Sequence, residues 1–212
     1  MNLQGIIFDF DGTIADTLPI CIMSFQQTFE RVMGKQFTTE EVYSYFGRSE
    51  EGIIKEIAPN HYDECLEAYM EIYRNNHHLC PNVFDGMIDI LESISDSGLK
   101  MALITGKGPN AIKISLDYLN LNKYFEYVEA GDASGSIKTQ CINKIANLWE
   151  IDHSTIAYVG DQPSDIIDSK KANAKAIAVS WAKTSNHIEL QKHNPDLLFD
   201  NVQRFKEWLN TI

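Results

Sequence analysis

The chain has 212 residues, 44% of them apolar and 23% charged, which is enough apolar material for a proper core and too much for wholesale disorder. At roughly 150 residues per domain this length fits one large domain, or a core with a smaller insert, and not a long repeat array. Eighteen Lys and Arg against 30 Asp and Glu leave a net charge of −12, which repels a phosphate backbone and excludes nucleic acid as an expected partner. The same charge would repel a small phosphorylated ligand unless positive charge were gathered at one point.

The four cysteines, Cys21, Cys65, Cys80 and Cys141, are scattered, with no CxxC pair and no His cluster at zinc spacing. A reduced, cytoplasmic protein is expected. The first residues run straight into an apolar stretch without the basic region, long apolar core and cleavage site of a signal peptide. Nowhere do about 18 consecutive apolar residues occur, so no membrane partner is expected.

In chain order, 3–10 is an apolar run that stops at Asp11-Gly12, the pattern of a strand buried on both faces and ended by a turn. The spacing then becomes helical: Cys21, Phe25, Thr28 and Phe29, next Ile53, Ile54 and Ile57, next Leu66, Tyr69, Met70 and Tyr73. This predicts an all-helical insert over 17–80, seated over the C-terminal end of the first strand and returning through the Pro- and Gly-bearing segment 80–86. Met87, Ile90, Leu91 and Ile94 predict a helix closed by Gly98, followed by a strand over 100–105. A weaker strand over 124–131 precedes a helix carrying Cys141, Ile142, Ile145, Ala146 and Trp149, and further strands follow over 155–160 and 175–180. Such alternation predicts right-handed crossovers and an α/β fold with a Rossmann-like, doubly wound parallel sheet, formed by 1–16 and 81–212.

Candidate chemistry sits at the predicted strand ends. In Asp9-Phe10-Asp11-Gly12-Thr13 the period-two geometry of a strand points both carboxylates one way while Phe10 faces the other. Two carboxylates without a base are costly unless a cation neutralises them, and their oxygens suit Mg²⁺. Thr105 and Gly106 place a hydroxyl and backbone N–H groups at the same edge, suited to phosphate oxygens. Lys138 opens a helix, where the dipole disfavours a cation and calls for a negative partner. Gly160-Asp161-Gln162-Pro163-Ser164-Asp165 ends another strand and opens a helix, with Ser164 the expected N-cap and Asp165 in the first turn. Each feature alone is ordinary, since Asp-Gly makes turns and most lysines are exposed. Their coincidence at the ends of different parallel strands, where open α/β sheets bind ligands, is not.

These stretches, FDFDGT at 8–13, LITGK at 103–107, Lys138 and VGDQPSD at 159–165, resemble in order the four motifs of the haloacid dehalogenase superfamily, over nearly the whole chain. The helical insert resembles the C1 cap of its phosphoglycolate phosphatase and β-phosphoglucomutase branch. The resemblance implies a nucleophile at Asp9 that forms an aspartyl-phosphate, and a general acid and base at Asp11. It implies Mg²⁺ held by Asp9, the Asp11 backbone carbonyl and Asp161, with Asp165 in support, and a phosphoryl group held by Thr105, Gly106 and Lys138. The partner it implies is a small phosphorylated metabolite, bound by a monomer or a homodimer.

Asp11 argues against the superfamily's dehalogenases, which lack a second Asp in the first motif. Mutases of the β-phosphoglucomutase type carry an Arg three residues beyond a cap-loop Gly, where this chain has Glu50 after Gly47, with Arg48 nearby. Hydrolysis of a monoester is therefore expected, with mutase or pyrophosphatase chemistry as the alternative. A phospho-accepting regulatory protein is the alternative outside enzymes, and it would have no use for Asp11 as an acid. Lys138 is followed by Thr139-Gln140 where relatives often have Pro, which leaves Lys144 as a second candidate. Phe46, Gly47, Arg48 and Glu51 are the expected leaving-group contacts. His77, His78 and Trp181 are weaker candidates, with the His pair expected at the surface.

Overall fold

The computed structural model describes residues 2–212; Met1, at the head of the expected core segment, lies outside the described residues. β1 (Gly5–Phe8) is buried at all four positions. Ile6 and Phe8 enter one core and Ile7 the other, as the two-residue period of a strand requires when both faces are covered.

The chain then runs through α1 (Leu18–Met33), α2 (Thr39–Tyr43), α3 (Glu50–Ile57) and α4 (Tyr62–Asn76), with no strand between them. α1 has Pro in its first turn and ends at Gly34, whose φ of 64° supplies the left-handed cap. α1 and α4 pack through Phe25 and Tyr69, whose ring centroids lie 4.4 Å apart, with Phe29 stacked on Phe25 within α1. Each fully buried aromatic of this kind contributes roughly 2–3 kcal/mol of hydrophobic stabilisation. The segment returning over 80–86 lies beside the one leaving β1, since the Phe84 N–H donates to the Ile14 carbonyl at 3.0 Å.

The remaining chain alternates as predicted: α5 (Met87–Ser97), β2 (Lys100–Ile104), α6 (Pro109–Tyr118), β3 (Tyr127–Glu129), α7 (Lys138–Trp149), β4 (Ile156–Gly160), α8 (Pro163–Lys171), β5 (Lys175–Val179), α9 (His187–Lys192), β6 (Leu197–Phe199) and α10 (Val202–Leu209). The strands form one parallel sheet in the order β3-β2-β1-β4-β5-β6. Strand order reverses between β1 and β4, and a crevice opens at the C-terminal ends there. The strand expected over 124–131 shrinks to three residues, with a 3₁₀ turn at Asn122–Tyr124 before it. β6 was not foreseen, because three partly buried residues on a sheet edge carry no readable period. Among the described residues no helix is long and apolar enough to cross a membrane.

Candidate active site

The Asp9 N–H donates to the Val159 carbonyl at 2.8 Å, which carries the ladder one residue past β1. Phe10 then turns fully into the core, and its carbonyl accepts from the N–H groups of Thr13, Ile14 and Ala15. Both carboxylates reach the crevice as alternation required, although the strand itself stops at Phe8. Gly12 makes the turn at φ 74°, and a Cβ there would fall on the Asp161 carboxylate, so only glycine fits. The Thr17 hydroxyl donates to Asp11 Oδ1.

Lys138 opens α7 and is buried, with Nζ donating to Asp9 Oδ2 at 2.7 Å and to Asp165 Oδ1. Burial alone would draw its pKa down, but Asp165 and Asp9 hold the ammonium well above lysine's usual value. This meets the need for a negative partner at a helix start. Lys144 points elsewhere, pairing at the surface with Glu129 at 2.6 Å. Thr105 is fully buried and its hydroxyl accepts from the Lys107 N–H at 3.2 Å, while Gly106 borders the same cavity.

Asp9, Asp161 and Asp165 each bring a carboxylate oxygen within 4.8 Å of the others. Burial pushes Asp9 up to about 6 against the pull of Lys138, and pushes Asp161 up to about 8 with Asp165 and Asp9 adding to the rise. Asp161 Oδ1 is buried without a hydrogen-bond partner, although its other oxygen accepts from Ser185 and Gln162. Three acids with one ammonium among them, and one oxygen left over, fit a hard divalent cation.

The crevice encloses about 310 Å³ between these strand ends and the helices of 18–79. Phe46, Gly47 and Arg48 border it, and Arg48 also pairs with Glu56. Other expectations are corrected. Glu50, not Glu51, lines the cavity, because α3 begins at Glu50 and turns that side chain inward. Neither His77, His78 nor Trp181 borders it. His77 is buried and not at the surface, with Nε2 on the Ser115 hydroxyl at 3.0 Å beside Tyr73. Trp181 donates to the Thr13 carbonyl at 3.0 Å and packs on Phe205. Ser164 is not the N-cap of α8; that position falls to Gln162, two residues earlier, Pro163 opens the helix, and the Gln162 N–H donates to Asp165 Oδ2 at 2.9 Å.

The sequence reading missed Lys107 and the role of Glu50. Lys107 is buried, with Nζ 3.2 Å from Asp11 Oδ1, 3.5 Å from Glu50 Oε1 and 2.9 Å from Cys21 Sγ. Burial would lower its pKa, but Asp11 leads the groups that keep it well above normal. Burial also raises Glu50, while Lys107 and the Gly108 N–H, at 2.5 Å, pull it back. The available signal was a lysine between two glycines, three residues past the end of β2.

The family model for haloacid dehalogenase-like hydrolases matches residues 6–179. The pyrophosphatase PpaX of Bacillus mycoides (strain KBAB4) is 23% identical over 214 residues, covering 100% of this chain and 99% of its own. That of Anoxybacillus flavithermus (strain DSM 21510 / WK1) is 26% identical over 205 residues, covering 95% and 94%. Among solved structures, a predicted phosphoglycolate phosphatase from Haemophilus somnus 129pt superposes with a TM-score of 0.82 at 17% identity, over 99% of both chains. The fold, the ordered motifs and the family match agree: the chain belongs to the haloacid dehalogenase-like hydrolases.

Proposed function

We propose that this chain is a Mg²⁺-dependent phosphatase that hydrolyses a small phosphorylated metabolite through an aspartyl-phosphate on Asp9. In this reading 1–16 and 81–212 form the catalytic core, and 17–80 a helical cap that encloses the substrate. The observation that carries it is the buried Asp9 carboxylate, 2.7 Å from Lys138, facing the same cavity as Asp11 and grouped with Asp161 and Asp165.

An Asp9 oxygen attacks phosphorus while Lys138 holds its partner oxygen in place. Asp11 gives its proton to the departing alkoxide oxygen and later takes one from the water that cleaves the acyl-phosphate. The Thr105 hydroxyl and the Gly106 N–H orient the phosphoryl oxygens, so the chain's contribution is mainly positioning and charge stabilisation. Asp9, the Asp11 backbone carbonyl, Asp161 and Asp165 would hold Mg²⁺, which supplies neutralisation of the phosphoryl charge when bound. The free, buried thiols of all four cysteines suit a reducing cytoplasm.

Pyrophosphate and phosphorylated alcohols both fall within this reading, and Glu50 in place of a cap-loop Arg favours hydrolysis over internal transfer. Asp9→Asn should abolish turnover of 4-nitrophenyl phosphate with Mg²⁺, and Asp11→Asn should lower it by at least about 10²-fold. Near-wild-type rates in either purified variant would overturn the mechanism.

A further inference from the structure

Among the described residues three cationic side chains line the cavity, Arg48, Lys107 and Lys138, and each already faces a carboxylate. Arg48 pairs with Glu56 and Lys138 with Asp9 and Asp165. Lys138 stands at the nucleophile and is committed to the phosphoryl group that transfers. Lys107 shares one positive charge between two carboxylates, Asp11 and Glu50. With Asp11 protonated to act as the acid, Glu50 balances the charge on Lys107, so the part of the cavity beyond Asp11 is left with no uncompensated positive charge.

Glu50 is not a loose surface residue. It is 5% exposed, sits in the first turn of α3, and accepts from the Gly108 N–H through Oε2 at 2.5 Å. A Cβ on residue 108 would collide with the Glu50 and Glu51 carboxylates, so the glycine is what lets this helix approach the core loop. Glu50 Oε1 lies 3.5 Å from Lys107 Nζ, and a carboxylate oxygen so placed has further lone-pair capacity for a donor. Leu18, Phe25, Phe46 and Ile53 add apolar lining to the same cavity.

We propose that Glu50 selects the leaving group: an uncharged alcohol with a further hydroxyl that donates to Glu50 Oε1. Leaving groups with their own negative charge, whether a carboxylate or a second phosphate, are rejected. This deepens the phosphatase reading and rests on it. An anionic leaving group would be buried against a fixed carboxylate with no unshared cation among the described residues lining the cavity, which is costly at low local dielectric. A hydroxyl meets an acceptor with spare capacity instead. Discrimination thus comes from a repulsive element as much as from an attractive one. It separates this chain from relatives named for pyrophosphate, whose leaving group is itself phosphate.

The test is a matched pair, 2-hydroxyethyl phosphate and 2-phosphoglycolate, which differ in a CH₂OH against a carboxylate, with pyrophosphate as a third substrate. With the purified full chain and Mg²⁺ at pH 7, kcat/KM for 2-hydroxyethyl phosphate should exceed that for phosphoglycolate by about tenfold or more. Glu50→Gln should bring the ratio towards about one, whatever it does to either rate alone. A wild-type ratio near or below one, a ratio unmoved in Glu50→Gln, or a preference for pyrophosphate over 2-hydroxyethyl phosphate overturns the proposal. Should Glu50→Gln fail to fold, the wild-type ratios alone decide. Turnover of 4-nitrophenyl phosphate that is lost in Asp9→Asn upholds the phosphatase reading independently, so an inverted ratio then counts against Glu50 alone. Absence of turnover on every phosphoester removes both.

Discussion

Asp161→Asn should stabilise the metal-free protein, and only at neutral and higher pH. The Asp161 carboxyl is pushed from 3.8 up to about 8, first by burial and then by Asp165 and Asp9. Because the folded state holds this proton more tightly than the unfolded chain, folding takes up a proton between those values. Stability therefore falls as pH rises from about 4 to about 8 and levels off above. The penalty at pH 7 is on the order of 4 kcal/mol, and at pH 5 under about 2 kcal/mol. Asparagine removes it while keeping the size, and its carbonyl can accept from Ser185 and Gln162 as Oδ2 does. Its amide meets a position where Oδ1 has no partner, which costs about 1–2 kcal/mol. The balance is a gain of about 2–3 kcal/mol at pH 7, or roughly 5–10 °C in Tm for a chain of this size, and nothing at pH 5. Thermal unfolding in EDTA at both pH values measures it. A variant no more stable than wild type at pH 7, or equally stabilised at pH 5, refutes the argument that crowding of buried carboxylates is an unrelieved cost without a cation.

Lys138→Ala should lower kcat/KM for 4-nitrophenyl phosphate by at least about 10²-fold, while Lys144→Ala should leave it within about twofold; steady-state kinetics on both decide between the two lysines. Exhaustive chelation should silence the enzyme and added Mg²⁺ restore it, and activity that survives chelation would sink the metal assignment. Gly108→Ala should destabilise by about 1–3 kcal/mol, because its Cβ lands on the Glu50 and Glu51 carboxylates, and urea denaturation at pH 7 reads the loss.

Much of this fold was legible because its central strands are buried on both faces. Each of β1, β2, β4 and β5 reads as a short apolar run, and the residue that follows β1, β2 or β4 is polar and lines the crevice: Asp9, Thr105, Asp161. Lys138 was legible through its odd placement at a helix start. What stayed hidden depends on distance across the chain. Glu50 and Lys107 stand far apart in sequence, and nothing local to either says that α3 will lay one against the other. His77 ends a helix among polar neighbours and looked exposed, yet Ser115 on α6 gives it a buried partner. Ser164 had the right chemistry for a cap, but the fixed φ of Pro163 claimed the first helical position and moved the boundary.

A net charge of −12 and an anionic substrate are reconciled by register, not by composition. Phe8 and Val159 are partners in the parallel ladder, so Asp9 and Asp161 leave adjacent strands almost level. Such a pair cannot avoid the other's field, and Asp165, fixed by its bond from the Gln162 N–H, adds a third carboxylate. The arrangement is tolerable only because α7 brings Lys138 in from beyond β3 and because the remaining negative charge can be met by a cation. Positive potential for phosphate is thus confined to one end of the crevice. At the other end Glu50 claims a share of the charge on Lys107, so the enclosing helices carry the acidity of the chain into the cavity itself. A surface that repels anions generally, and a cavity that on the proposed function accepts one phosphoryl group at one place, are the same distribution of charge seen at two scales.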